Sequence, residues 1–155
     1  MDESFRPRIL RLLDQHRTMR IATLRTDGWP QVTTVGYAND GLGIYFLCGA
    51  DSQKAANLAR DDRVSLTVDD DPAQVMDIAG LSMAARAKLV TDPAEFKKAL
   101  RLLISRYPNQ KGLDLPMPKT SDRLPPDTHD RLPARLLKAI WTYRPDRVLN
   151  CRILH

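Results

Sequence analysis

The chain has 155 residues, 43% of them apolar and 28% charged, a profile that suits one soluble domain large enough to bury a core. No apolar run approaches the ~20 residues a membrane-spanning helix needs, and the opening stretch MDESFRPRILRLL lacks the apolar centre of a signal peptide, so a cytoplasmic protein is expected. The formal charge of +5 is mild, and the basic residues are scattered without interleaved aromatics, which argues against a nucleic-acid partner and leaves room for a small anionic ligand.

The first expected element is a helix that Ser4 can cap, with Pro7 in its first turn and Phe5, Ile9, Leu12, Leu13 and His16 on one face. The period then changes from helix to strand. Residues 19–25 and 31–38 read as strands around the turn Asp27-Gly28, and residues 44–48 as a third strand after Asn39-Asp40-Gly41. Three strands with tight turns predict an antiparallel meander, and the Gly-rich fingerprint of a dinucleotide fold is absent. A helix from Ser52 to near Arg60 follows, then a strand in which Val64, Leu66 and Val68 alternate with Ser65 and Thr67. Residues 69–72 are an acidic turn without the spaced ligands of a calcium loop.

Residues 75–90 read as one long bent strand or two short ones, with Gly80 as the natural bulge or kink. Asp92-Pro93-Ala94-Glu95 is a helix start, and Phe96, Leu100, Leu103, Ile104 and Tyr107 form the stripe that this helix should bury. Residues 108–135 hold six of the eleven prolines and read as an excursion over the surface, a lid or a partner-contacting arm within a single domain spanning 1–155. Residues 137–143 and 147–154 read as two closing strands. The fold class is therefore mainly β, a β-barrel of about six or seven antiparallel strands with flanking helices. Cys48 and Cys151 both fall in apparent strands and read as reduced core residues, and His16, His129 and His155 lie too far apart for metal-ligand spacing, so no metal is expected.

Residues 42–63, LGIYFLCGADSQKAANLARDDR, carry the most chemistry. A buried strand turns at Gly49-Ala50-Asp51 into a helix with Ser52 at its start and Lys54 in its first turn. The first amides of a helix lack internal partners, and a lysine and a hydroxyl beside them would complete an anion site. On these residues alone a second reading also stands: a capped helix with a solvated lysine.

The ordered set RIATLRTDGWPQVTTVGY, IYFLCGADSQKAANLARDDRVSLTV and a bent strand ending ARAKLV resembles the pyridoxamine 5′-phosphate oxidase-like flavoproteins, the FMN-binding split barrels. The resemblance covers residues 5–103 well and 137–153 loosely. It implies an antiparallel split barrel and a homodimer with FMN at the subunit interface. It carries the phosphate role to Ser52, Gln53 and Lys54. The strand under the flavin carries over to Thr33, Thr34, Val35 and Gly36, and the strand end against the cofactor to Leu47 and Cys48. Trp141 and Arg147 match the residues that reach across the dimer. Two basic residues of the oxidase proper are replaced, by Gln53 and by Thr33, and Arg20, Arg25, Arg60 and Arg86 are the candidates to compensate. Arg147-Val148-Leu149 stands where the oxidase has Arg-x-His, which points away from vitamin B6 oxidation.

The resulting expectation is an FMN-dependent oxidoreductase acting on a small molecule, in which the flavin supplies the redox chemistry and no side-chain nucleophile is required. Two alternatives accompany it: a flavin- or haem-binding stress or sensor protein without turnover, and a deazaflavin-dependent reductase.

Overall fold

The computed structural model describes residues 5–109 and 134–141. Six strands close into an antiparallel barrel in the order β1-β2-β3-β6-β5-β4, with β4 returning to β1. In chain order these are α1 (Arg6–Gln15), β1 (Thr18–Leu24), β2 (Pro30–Asp40), β3 (Gly43–Gly49), α2 (Gln53–Arg60), β4 (Arg63–Asp69), β5 (Gly80–Leu89), α3 (Pro93–Arg106) and β6 (Ala134–Trp141). The strands form where β-branched and aromatic residues alternate with polar ones, and the alternation sends Met19, Ile21, Tyr37, Phe46, Leu66 and Met83 into one interior. Gly28 (φ 84°) and Gly41 (φ 58°) supply the left-handed backbone of the first two hairpin turns.

The helices divide the outside between them. Ile9 and Leu13 of α1 close one end of the barrel, and Ala55 and Leu58 of α2 close the other. α3 lies on the barrel wall, where Phe96, Leu100 and Leu103 cover Ala38, Tyr45 and Leu136. Its start follows the sequence signal: the Asp92 side chain accepts from the Glu95 amide at 2.7 Å, with a proline in the first turn.

Several boundaries differ from the sequence reading. The strand expected over 75–90 begins only at Gly80. Asp70 N–H donates to Ala79 O at 3.0 Å and ends the β4–β5 hairpin there, so Val75–Asp77 form a single 3₁₀ turn outside the ladder. Val75 and Met76 are therefore 77% and 82% exposed despite their apolar side chains. Gly80 opens β5 opposite Asp69, where an added Cβ would meet the Asp69 Cβ at 3.0 Å; it permits close approach and makes no mid-strand kink. Ile104 is 45% exposed, because Ala99 takes the inward position that completes the α3 stripe. Phe5 is also exposed, and His16 turns its ring to polar partners instead of the core. β6 starts at Ala134, so the last two residues of the expected 108–135 excursion belong to the sheet, paired with Gly49 and Cys48. Ser4, residues 110–133, the strand expected over 147–154, Cys151 and Arg147 lie outside the described residues.

Candidate functional site

The barrel is closed but not evenly laced. β2 and β3 pair only from Tyr37↔Phe46 to Asp40↔Gly43. Beyond that point the strands part: residues 30–36 pair with β1 alone, and residues 47–49 with β6 alone. This split leaves one backbone edge of β2 without a strand partner, a row of donors and acceptors of the kind a flat polar ligand can use. The second lip of the split runs from the end of β3 into the N-terminus of α2.

Most of the site residues expected from sequence border this opening. On β2, the strand alternation places Thr33 and Val35 on the interior side and Thr34 and Gly36 outside. Thr33 Oγ1 is buried with no hydrogen-bond partner among the described residues. Gly36 answers to a second constraint, since a Cβ there would meet Tyr107 Oη at 2.9 Å. On β3, Leu47 faces outward against the α3 cluster, while Cys48 faces the barrel core.

At the head of α2, Ser52 is the N-cap. Its Oγ accepts from Ala55 N–H at 3.2 Å and donates to Gly49 O at 2.7 Å. Its proton is thus held by a carbonyl, and the residue's observed work is to fix the turn. The amides of Gln53 and Lys54 have no intrahelical acceptor and point ahead of the helix. Lys54 is half-buried. Burial lowers its pKa, the Cys48 side chain opposes that shift, and among the described residues no carboxylate contributes. A partly desolvated ammonium beside orphan amides is a site that favours an anion.

The four arginines named as candidates to compensate for Gln53 and Thr33 are engaged elsewhere. Arg20 pairs with Asp69, Arg25 with Asp27 at 2.7 Å, and Arg86 with Asp62. Arg60 donates to the carbonyls of Leu24 and Arg25, both at 2.7 Å. Trp141 ends β6 opposite Ala85, at the α1 end of the barrel, so within one chain it does not join the group around the split.

The sequence reading did not single out the buried amide cluster behind Lys54. Asn57 Nδ2 donates to Thr23 Oγ1 at 3.0 Å and to Gln31 Oε1 at 3.2 Å, and Gln53 Nε2 donates to Asn57 Oδ1 at 2.9 Å. The only signal in the sequence was an Asn between two residues, Ala55 and Leu58, that face the core.

A six-stranded antiparallel barrel that parts between β2 and β3, with a helix N-terminus on one lip, defines the class of split barrels. The sequence profile of the pyridoxamine 5′-phosphate oxidase family matches residues 5–132, and the chain belongs to that family. A conserved hypothetical protein of Mycobacterium tuberculosis is similar at 30% identity, with a TM-score of 0.65 over 93% of this chain and 82% of that one. The haem storage protein HutZ of Vibrio cholerae shares the fold at 18% identity, with a TM-score of 0.68 over 89% of this chain and 90% of that one. An F420 reductase shares it at 24% identity, with a TM-score of 0.58 over 86% and 92%. No protein of curated function matches. Among the described residues, no helix is long and apolar enough to cross a membrane.

Proposed function

We propose that the chain binds FMN in the split and acts as a flavin-dependent oxidoreductase on a small molecule. The observation that carries this reading is the half-buried Lys54 ammonium at the head of α2, with no carboxylate among the described residues to offset it, beside an unpaired β2 edge. The family binds flavins or related cofactors. The residues fit such a group: the amides of Gln53 and Lys54 and the Lys54 ammonium would take its phosphate, and the backbone of residues 33–36 would meet the polar edge of its ring. Bound flavin would supply the electron or hydride transfer. The chain's part is to hold the phosphate, orient the ring along β2 and exclude water from the cleft.

The working unit in this proposal is a homodimer with the cofactor at its interface. The outer face of β1, β4, β5 and the first half of β2 carries no helix, and near the split Val32, 63% exposed, lies beside Ala22, Thr34 and Ser65, with Arg20 opposite Thr34 and paired to Asp69. Such a face is suited to a flat partner surface. Haem would need an axial ligand, and His16, the only histidine among the described residues, is not placed to serve, since it sits at the opposite end with Nδ1 against Leu12 O and Nε2 against Asp70.

The absorption spectrum of the purified protein tests the cofactor, with mass analysis of what denaturation releases. FMN is the expected product; a deazaflavin or haem would overturn the assignment. Lys54→Ala is expected to weaken FMN binding about tenfold, the worth of one charge-assisted hydrogen bond, as read by flavin fluorescence titration. Wild-type affinity in that variant would sink the phosphate role. Light scattering tests the assembly, and a flavin-saturated monomer would count against an interface site.

A further inference from the structure

Asn57 is 1% exposed and sits in the middle of a two-turn helix, on the face that also carries the core residues Ala55 and Leu58. Asparagine is a poor choice there on both counts, since it is a weak helix former and a buried amide is costly unless its hydrogen bonds are met. The bonds are met, and the partners explain the residue. They come from three elements: Thr23 on β1, Gln31 on β2 and Gln53 on α2 itself. Gln31 belongs to the half of β2 that has no β3 partner. The Asn57–Gln31 bond therefore ties α2 to the opposite lip across the split. Asn57 also lies three residues after Lys54, so the two are neighbours along the helix surface.

We infer that Asn57 is a positioning residue for anion binding: its carboxamide fixes α2 against the free half of β2 and so aims the helix N-terminus and Lys54 at the ligand phosphate. This rests on the reading of the split as a phosphate-containing cofactor site. Ala55, Leu58 and Arg60 also anchor α2, but they do so toward β1 and the core, and the Asn57–Gln31 bond is its tie to the free half of β2, so a small rotation about that contact would move the terminal amides off a bound phosphate.

The phosphate dependence gives a test that a general packing role would not pass. FMN and riboflavin differ only in the phosphate, and both are fluorescent, so fluorescence titration reads the two affinities side by side. In Asn57→Ala, FMN affinity should fall about tenfold while riboflavin affinity changes by less than about threefold. In a Lys54→Ala background, the further loss from Asn57→Ala should shrink to within about twofold, because the two act through one site. Asn57→Asp sharpens the result. The Thr23 hydroxyl and a reoriented Gln31 amide can both donate to a carboxylate, so the new group keeps hydrogen-bond partners while a negative charge one turn from Lys54 repels phosphate. This variant should lose more FMN affinity than Asn57→Ala and no more riboflavin affinity. Without ligand, amide exchange across residues 31–35 should quicken in Asn57→Ala. Should that variant fail to fold, Gln31→Ala removes the other end of the tie and should show the same FMN-selective loss.

Equal losses for FMN and riboflavin would overturn the proposal and leave Asn57 as a packing residue. A wild-type protein that prefers FMN and an Asn57→Ala variant that keeps that preference would overturn it as well, leaving the cofactor reading intact. A wild-type protein that holds riboflavin as tightly as FMN would overturn both.

Discussion

The two ends of the barrel are closed by helices of similar size but in opposite ways. At the α1 end, the helix finishes with no basic residue in its last turn, and α3 supplies one. Arg106 donates to the carbonyls of Leu13 and His16 and to Asn39 Oδ1, while its guanidinium lies 5.3 Å over the Tyr37 ring. Tyr37 donates to the same Leu13 carbonyl at 2.8 Å, and burial pushes its pKa up to about 12. The orphan carbonyls of a helix C-terminus thus receive a positive charge and a phenol, and the end is sealed from within. At the α2 end the corresponding ledger is open. Asn57 and Ser52 satisfy the interior, but Lys54 is half-buried without a carboxylate among the described residues, and half of β2 has no neighbour beyond β1. One end is arranged for stability and the other for a ligand.

The largest test of that contrast is at the sealed end. Leu13 is fully buried, and Leu13→Ala should cost about 2–5 kcal/mol in chemical denaturation through the cavity it leaves. Flavin affinity of the folded protein should not change. A parallel loss of affinity would show that the two ends are coupled and that the division drawn here is wrong.

Gly36 lies between the two regions and sorts them further. The resemblance places it beneath the cofactor, yet Tyr107 Oη stands 2.9 Å from where its Cβ would be. That hydroxyl is held in place, donating to Arg17 O and accepting from Tyr37 N–H at 3.0 Å. Gly36→Ala should therefore destabilise the fold by about 1–3 kcal/mol through overpacking, with a smaller effect on flavin binding because the backbone groups that would meet the ring are kept. In a Tyr107→Ala background the same substitution should cost less, so the double variant's loss of stability would fall short of the sum of the two single losses. Lost flavin binding with unchanged stability would instead assign Gly36 to the open end.

The two ends also differ in how far the sequence alone reveals them. The barrel was legible because alternation of Val, Thr and Ile with polar residues is a local property, and so was the start of α2, because Ser52, the helix amides and Lys54 are neighbours in sequence. The split was not. Residues 30–40 form one uninterrupted strand, and nothing along it marks where β3 departs at Tyr37. Asn57 was missed for a similar reason. An Asn in the second turn of a helix ordinarily faces water, and its burial depends on Thr23 and Gln31, 34 and 26 residues away in sequence. The false strand over 75–79 is the converse: Val75 and Met76 have the composition of a strand, but the ladder had already ended at Asp69↔Gly80.

The smallest effect is a difference in pH dependence, and it bears on the open end alone. Burial lowers the Lys54 pKa in the folded protein. Between that lowered value and the unfolded value of about 10.4, the unfolded chain binds a proton that the folded chain has released, so this group makes stability rise with pH. Lys98 and Lys138 act in the opposite sense. Their pKa values are raised by Asp40 and Glu95 respectively, and the stability they contribute is lost as pH climbs through those raised values. Comparing the ligand-free protein with Lys54→Met cancels that shared background. At neutral pH the variant should be slightly the more stable, and its advantage should fade as pH rises toward the unfolded lysine value. Saturating FMN should abolish the fading, because a bound phosphate gives the ammonium the partner it lacks and removes the reason for its pKa to be low. A wild-type protein already more stable than Lys54→Met at neutral pH without ligand would mean that Lys54 has a partner of its own, and that the open end is closed after all.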